Sequence, residues 1–245
     1  KPGCESAAER VPPVAMLSSR RPGILWLCYA VALLAATGLA RGSEEDDDLG
    51  EFSKVTIGSV IKLTHVASGF RIHSHEVKWG SGSGQQSVTA VDDAADPNSL
   101  WVVKCKHGSH CAQGTPVLHG HVVRLSHLQT KRNLHSHTYK SPLSQRQEVS
   151  CYGEQGEGDT GDDWIIETMG QADWTRNKSV RFKHYHTGAF LTTGAEQVFN
   201  QRNCGGNCPI AGQLEVSAVK KANDPQIWWQ ATEGVFFPEK EETPK

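Results

Sequence analysis

Apolar and polar residues alternate along this chain in runs too short for helices, and the runs return on a fixed spacing. The segments GSVIKLTHVASGFRIHSH (58–75), GHVVRLSHLQTKRNLHSH (120–137) and NKSVRFKHYHTGAFLTTG (177–194) stack column by column. Leu63, Leu125 and Phe182 share one column, His65, His127 and His184 a second, and Ile72, Leu134 and Leu191 a third. Further along, QQSVTAV, QEVSCY and LEVSAV align Val88, Val149 and Val216, while SLWVV, DDWII and QIWWQ align Trp101, Trp164 and Trp228. Period-two alternation and β-branched residues predict strands, and clusters of Gly, Pro, Asp and Ser separate them. Each unit predicts four short strands, over about 58–103, 120–167 and 177–231, and nothing beyond residue 42 sustains a helical period. The units open on Gly58, Gly120 and Asn177, residue types that accept the left-handed backbone of a tight turn. One four-stranded unit buries too little apolar surface to stand alone. The pattern therefore predicts an all-β fold in which three copies close around a pseudo-threefold axis, with the tryptophans giving bulk to a shared core.

The N-terminal part reads differently. Met16 is followed by two arginines, the uncharged run ILWLCYAVALLAATGLA (24–40) and then RGSEEDDD. That order predicts a secretory signal peptide within a leader spanning residues 1–42, with Met16 as the natural start. A run of this length also reaches the short end of a membrane span, so an uncleaved anchor is the alternative. The small-residue exit and acidic sequel favour cleavage, after which no stable membrane insertion is expected. Residues 43–53 read as an acidic, disordered lead-in, 54–234 as the repeat domain and 235–245 as a C-terminal tail. Beyond residue 42 the chain carries 20 basic and 25 acidic side chains with no basic stripe, which argues against nucleic acid as a partner.

Five cysteines follow the leader. CKHGSHC and CGGNC are tight local pairs, and in a secreted chain they predict the disulfides Cys105–Cys111 and Cys204–Cys208. Cys151 is left over, on a strand. The five residues between Cys105 and Cys111 exceed the usual zinc-ribbon spacing.

The residues with most chemical promise are the duplicated HSH motifs. His73 and His75 share one strand face, as do His135 and His137, so either pair offers two ligands to a metal ion. Neither pair has a third ligand nearby at zinc-like spacing, and the third copy reads LTTG. No nucleophile elbow surrounds Ser74 or Ser136, GSGSG (80–84) has no following helix, and GEQGEGDTGDDW lacks the order of a calcium loop. We assign no catalytic residue, no metal and no cofactor. HSH reads first as a structural stamp. The alternative is a face for a ligand or partner: His73, His75, Trp79, Gln86, His135, His137, Tyr139 and Gln147 together offer aromatic plates with imidazole and amide donors for a sugar or peptide. Asn177-Lys178-Ser179 is an N-glycosylation sequon.

The segments RIHSHEVKWGSGSGQQSVTAV, NLHSHTYKSPLSQRQEVS, GEGDTGDDW and WWQATEGVFFP lie in order across about 54–233. In them the chain resembles the MIR domain, a β-trefoil shared by protein O-mannosyltransferases and by inositol-trisphosphate and ryanodine receptors. More narrowly it resembles the stromal cell-derived factor 2 family. The resemblance implies a β-trefoil of three MIR repeats in a non-catalytic protein of the endoplasmic-reticulum lumen. It implies a part in folding quality control, with a lumenal J-domain co-chaperone, a BiP-type chaperone and unfolded or glycosylated client proteins as partners. A lectin-like binder of mannosylated proteins, or an accessory to O-mannosylation, is the alternative. The chain ends FFPEKEETPK where several relatives carry an HDEL-like signal, so the expected location is that lumen or the wider secretory pathway, secretion included.

Overall fold

The computed structural model describes residues 49–240; the expected leader and signal peptide lie outside that range. Twelve strands form in three sets of four. The first set is β1 (Val60–His65), β2 (Arg71–Lys78), β3 (Gln86–Val91) and β4 (Trp101–Cys105). The second is β5 (Val122–His127), β6 (Asn133–Lys140), β7 (Gln147–Tyr152) and β8 (Trp164–Thr168). The third is β9 (Val180–His184), β10 (Phe190–Val198), β11 (Leu214–Val219) and β12 (Trp229–Val235).

Pairing follows the repeat. The outer strands of each set close a six-membered antiparallel ring in the order β1, β4, β5, β8, β9, β12 and back to β1. The hairpins β2–β3, β6–β7 and β10–β11 cover one end, where β3, β7 and β11 pair with one another in a triangle. A closed ring with a triangular cap leaves few exposed strand edges. The arrangement is β-trefoil-like, and the predicted columns are its layers. Leu63, Leu125 and Phe182, then Ile72, Leu134 and Leu191, then Val88, Val149 and Val216 are all fully buried. The left-handed turns expected at the repeat heads are present, with φ of 93° at Gly58, 81° at Gly120 and 59° at Asn177.

The tryptophan column needs one correction. Trp101 and Trp164 are buried and donate Nε1–H to the carbonyls of Ile72 (3.1 Å) and Leu134 (3.0 Å). Their counterpart is Trp229, which is buried and donates to Leu191 O at 3.1 Å. Trp228 sits half-exposed with the Arg181 guanidinium 5.3 Å from its ring. The Asp-Pro turn sets this register: Asp96 and Asp224 each cap a one-turn 3₁₀ helix, and the buried tryptophan lies five residues beyond the cap.

Each buried tryptophan of this column packs, tilted, against one of the aligned histidines. Ring centroids are 5.0 Å apart for His65 and Trp229, 5.1 Å for His127 and Trp101, and 5.1 Å for His184 and Trp164. The imidazoles make the same two bonds in every copy. Nε2 faces the carbonyl of Gln226, Asn98 or Gly161 at 2.9, 2.9 and 3.0 Å. Nδ1 meets the hydroxyl of Ser68, Thr130 or Thr187 at 2.8, 2.9 and 2.9 Å. A carbonyl only accepts, so Nε2 carries the proton and Nδ1 receives one from the hydroxyl. These are neutral histidines locked in one tautomer.

The domain limits also shift. Gly50–Phe52 forms a 3₁₀ turn inside the segment expected to be a disordered lead-in. Of the tail expected from 235, the described part is packed: Val235 completes β12, Phe236 is buried in the core, and Lys240 N donates to Gly114 O at 3.0 Å. Phe236 is an apolar anchor that a boundary drawn on repeat columns alone does not count. Among the described residues the helical content is one turn, Gln201–Cys204 (α1), plus short 3₁₀ turns.

Candidate functional site

β2 and β6 carry the HSH motifs and place alternate side chains on one face. His73 is buried, and its Nδ1–H donates to Asp96 Oδ2 at 2.7 Å. Asp96 also caps the Pro97–Ser99 turn and accepts from Ser99 Oγ. Burial by itself would raise the Asp96 carboxyl, but the bonds from Ser99, His73 and the Asn98 amide outweigh it and hold it below the usual range. In the second copy His135 donates to buried Asp162 at 2.9 Å, and Asp162 belongs to the Thr160–Asp162 turn. In the third copy Thr192 stands at this position, and its hydroxyl donates to Gln226 O at 2.8 Å, in the turn Pro225–Ile227. All three side chains tie a hairpin strand to the following 3₁₀ turn. That shared task is what the first half of the stamp does.

The second histidines differ. His137 donates Nε2–H to Glu148 Oε1 at 2.9 Å, and Glu148 is fully buried. The residue matching Glu148 in the first copy is Ser87, and there the Nε2 atom of His75 is buried with no hydrogen-bond partner. Burial, followed by the neighbouring His73, pushes His75 below its ordinary pKa, which keeps it neutral.

The amides are cross-links. Gln86 Nε2 donates to Ser74 Oγ (2.8 Å) and to Thr130 Oγ1 of the next repeat (2.9 Å). Gln147 Nε2 donates to Ser136 Oγ (2.8 Å) and Thr187 Oγ1 (2.9 Å). Since Thr130 and Thr187 bond His127 and His184, each glutamine joins a hairpin to the neighbouring histidine–tryptophan pair.

Trp79 and Tyr139 do not form matching plates. Trp79 is 5 % exposed, donates Nε1–H to Val149 O at 2.9 Å and packs on Phe199 at 5.7 Å. Tyr139 is 55 % exposed and stacks edge-on against His137 at 4.8 Å. The reason is local: Tyr139 keeps the strand alternation of β6, whereas Trp79 lies beyond the end of β2 and turns inward beneath a loop. The second copy thereby acquires a row that sequence reading did not assemble: Tyr152, His135, His137 and Tyr139, with successive ring centroids 4.9, 5.2 and 4.8 Å apart.

Among the described residues, His135, Asp159 and Asp162 bring three metal-ligand types within 4.8 Å of one another. Both Asp162 oxygens and Asp159 Oδ1 already accept hydrogen bonds. Asp162 accepts from His135, Asn133 Nδ2 (3.1 Å) and the Asp159 amide (3.0 Å), and Asp159 accepts from Gly161 N (2.7 Å). The cluster is a helix-capping box with a histidine on it.

Both cysteine pairs are joined, Cys105 to Cys111 and Cys204 to Cys208. Cys151 is free and buried, and burial pushes its thiol up to about 12, leaving it unreactive as a nucleophile. No helix among the described residues is long and apolar enough to cross a membrane.

Comparison with known proteins places these features. A MIR domain matches residues 73–224. The stromal cell-derived factor 2-like protein of Dictyostelium discoideum is 46 % identical over 220 residues, covering 89 % of this chain and 97 % of that one. This chain belongs to the stromal cell-derived factor 2 family. The crystal structure of the SDF2-like protein from Arabidopsis thaliana superposes with a TM-score of 0.70 at 39 % identity, over 77 % of this chain and 99 % of that chain. The structure of the Saccharomyces cerevisiae protein O-mannosyltransferase Pmt1–Pmt2 complex bound to the sugar donor matches with a TM-score of 0.62 at 27 % identity, over 78 % of this chain and 28 % of that chain. The family is non-catalytic, and the chain is not an enzyme. In this chain His73, His135 and His137 serve the fold as internal ties.

Proposed function

We propose that this protein is a lumenal adaptor of a chaperone complex in the endoplasmic reticulum. In this reading it joins a J-domain co-chaperone and, through it, a BiP-type chaperone, and keeps unfolded clients soluble. The observation that carries the proposal is coverage: the chain matches a stromal cell-derived factor 2-like protein over 97 % of that protein's length. The inward use of His73, His135, Gln86 and Gln147 supports it, because those polar groups hold the scaffold together rather than await a substrate. We take the ring and triangle as a full β-trefoil, and residues 1–42 as a leader whose signal peptide is removed on entry to the lumen. Native affinity purification from intact cells tests the reading. A J-domain protein and a BiP-type chaperone should co-elute, and their absence from a preparation that retains the folded bait would refute it.

A lectin-like role, including an accessory part in O-mannosylation, is the second reading. The exposed Tyr139 at the end of the aromatic row favours it, since an open ring face beside imidazoles suits a sugar. Binding of mannosylated glycopeptides that disappears in Tyr139→Ala, with the melting temperature unchanged, would support this reading over the first.

A further inference from the structure

The three hairpin loops at the capped end are held down in two different ways. The β2–β3 loop is held by Glu148 of β7, whose carboxylate accepts from the Ser83 amide at 3.2 Å and from the Ser83 hydroxyl. The β6–β7 loop is held by Glu215 of β11, which accepts from the amides of Leu143 at 2.6 Å and Ser144 at 3.0 Å. Both carboxylates are buried, and each belongs to the next repeat. By the same rotation the β10–β11 loop should be held from β3, but β3 has Ser87 there, whose hydroxyl donates to Val77 O at 2.9 Å.

Instead, the β10–β11 loop carries its own disulfide. Hydrogen bonds of residues 199–212 remain within the segment 198–213: the amides of Phe199, Cys204 and Gly212 reach Gln213 O, Asn200 O and Phe199 O. At its C-terminal edge the loop has one side-chain tie to β3, where Thr89 Oγ1 donates to Gln213 Oε1 at 2.5 Å; residues 199–212 are joined to the domain by apolar packing. Phe199 and Ile210 are buried against Trp79, with Cys204, Cys208, Val77 and Leu143 half-buried around them. Cys204 also lines the groove of about 440 Å³ where the three loops meet, opposite Trp79 and Pro142. Between the two cysteines lie Gly205, Gly206 and Asn207, a stretch with high conformational freedom once the cross-link is gone.

From this asymmetry we infer that Cys204–Cys208 is a redox latch: while the disulfide is closed the loop covers Trp79, and its reduction releases the loop and opens the groove. The reductant is a dithiol. One of its thiolates attacks a disulfide sulfur and the S–S bond breaks. Its second thiol then resolves the mixed disulfide, leaving Cys204 and Cys208 as thiols and the reductant as a disulfide, with two electrons and two protons transferred. The two carboxylate-held loops have no such step. This inference is independent of the adaptor reading.

The test is hydrogen exchange on the full-length protein, oxidised and after dithiol titration, with alkylation and mass spectrometry to show which disulfide has opened. Opening Cys204–Cys208 should speed exchange of the amides of 199–213 by about tenfold or more while strands of the ring are unaffected. Cys204→Ser/Cys208→Ser should reproduce that pattern without reductant; should the variant fail to fold, the titrated wild-type protein decides the matter. Glu215→Gln supplies the contrast, since it should loosen 141–146 equally in oxidised and reduced protein. Exchange in 199–213 that stays within about twofold on reduction would overturn the latch. So would acceleration spread evenly over all twelve strands, which would make the disulfide a global staple.

Discussion

Acid should weaken this fold through the three histidines beneath the tryptophans, and the size of the effect can be worked out. His127 and His184 are pushed down to about 4, first by burial; the hydrogen bonds to Asn98 O and Gly161 O oppose the shift without cancelling it. His65 is lowered for the same reason. In the unfolded chain each returns to about 6.5. Above that pH both states are neutral and the stability is complete. As pH falls from about 6.5 toward 4 the unfolded chain takes up protons that the folded one refuses, so stability is lost across that window. A 2.5-unit gap corresponds to roughly 3 kcal/mol for each of the two histidines, of which about 2 kcal/mol each is spent by pH 5. The charged surroundings modify the total. His73, Asp96 and His75 act on His127, and His135, His186 and His137 act on His184. Asp163, raised mainly by burial, works in the opposite sense at the acid end. Urea unfolding at pH 7 and pH 5 is the assay, with an expected loss of about 4 kcal/mol or more between them. His127→Gln, although less stable at pH 7, should lose about 2 kcal/mol less across the same interval. A stability that holds within about 1 kcal/mol from pH 7 to 5 would show that these imidazoles are not the buried neutral groups described.

Three further expectations concern single sites. Trp229→Ala should cost about 3–5 kcal/mol by emptying a core position, and Trp228→Ala about 1 kcal/mol or less, as read by chemical denaturation; equal costs would contradict the register correction. His135→Ala should cost about 1–3 kcal/mol by stranding Asp162, while a chelator leaves the melting temperature unchanged; unfolding by chelator would point to a metal at His135, Asp159 and Asp162. Protein from a secretory pathway should carry partial glycan or none at Asn177, which holds the left-handed turn at a repeat head, read as a glycosidase-sensitive mass that Ser179→Ala removes; full occupancy in wild-type protein would refute this.

How legible all this was in the sequence depended on whether a residue's role repeats. Layers such as Ile72, Leu134 and Leu191 repeat because each copy must supply one third of a common core, so the strands, their order and the pseudo-threefold closure follow from the columns. The tandem Trp228-Trp229 defeated column reading because either residue preserves the spacing to within one position, and only the Asp224 cap fixes which faces inward. Side-chain ties between repeats were invisible for a different reason. Glu148 and Glu215 sit in strands where a carboxylate reads as solvent-facing, yet both are buried because their partners are loop amides contributed by another copy. Glutamines 86 and 147 looked like ligand donors for the same reason. The HSH motif holds a task that does repeat. His73, His135 and Thr192 differ in chemistry, and each still bonds the 3₁₀ turn that follows its hairpin. A role that survives exchange of imidazole for hydroxyl depends on hydrogen-bonding geometry alone, which neither metal ligation nor proton transfer would tolerate.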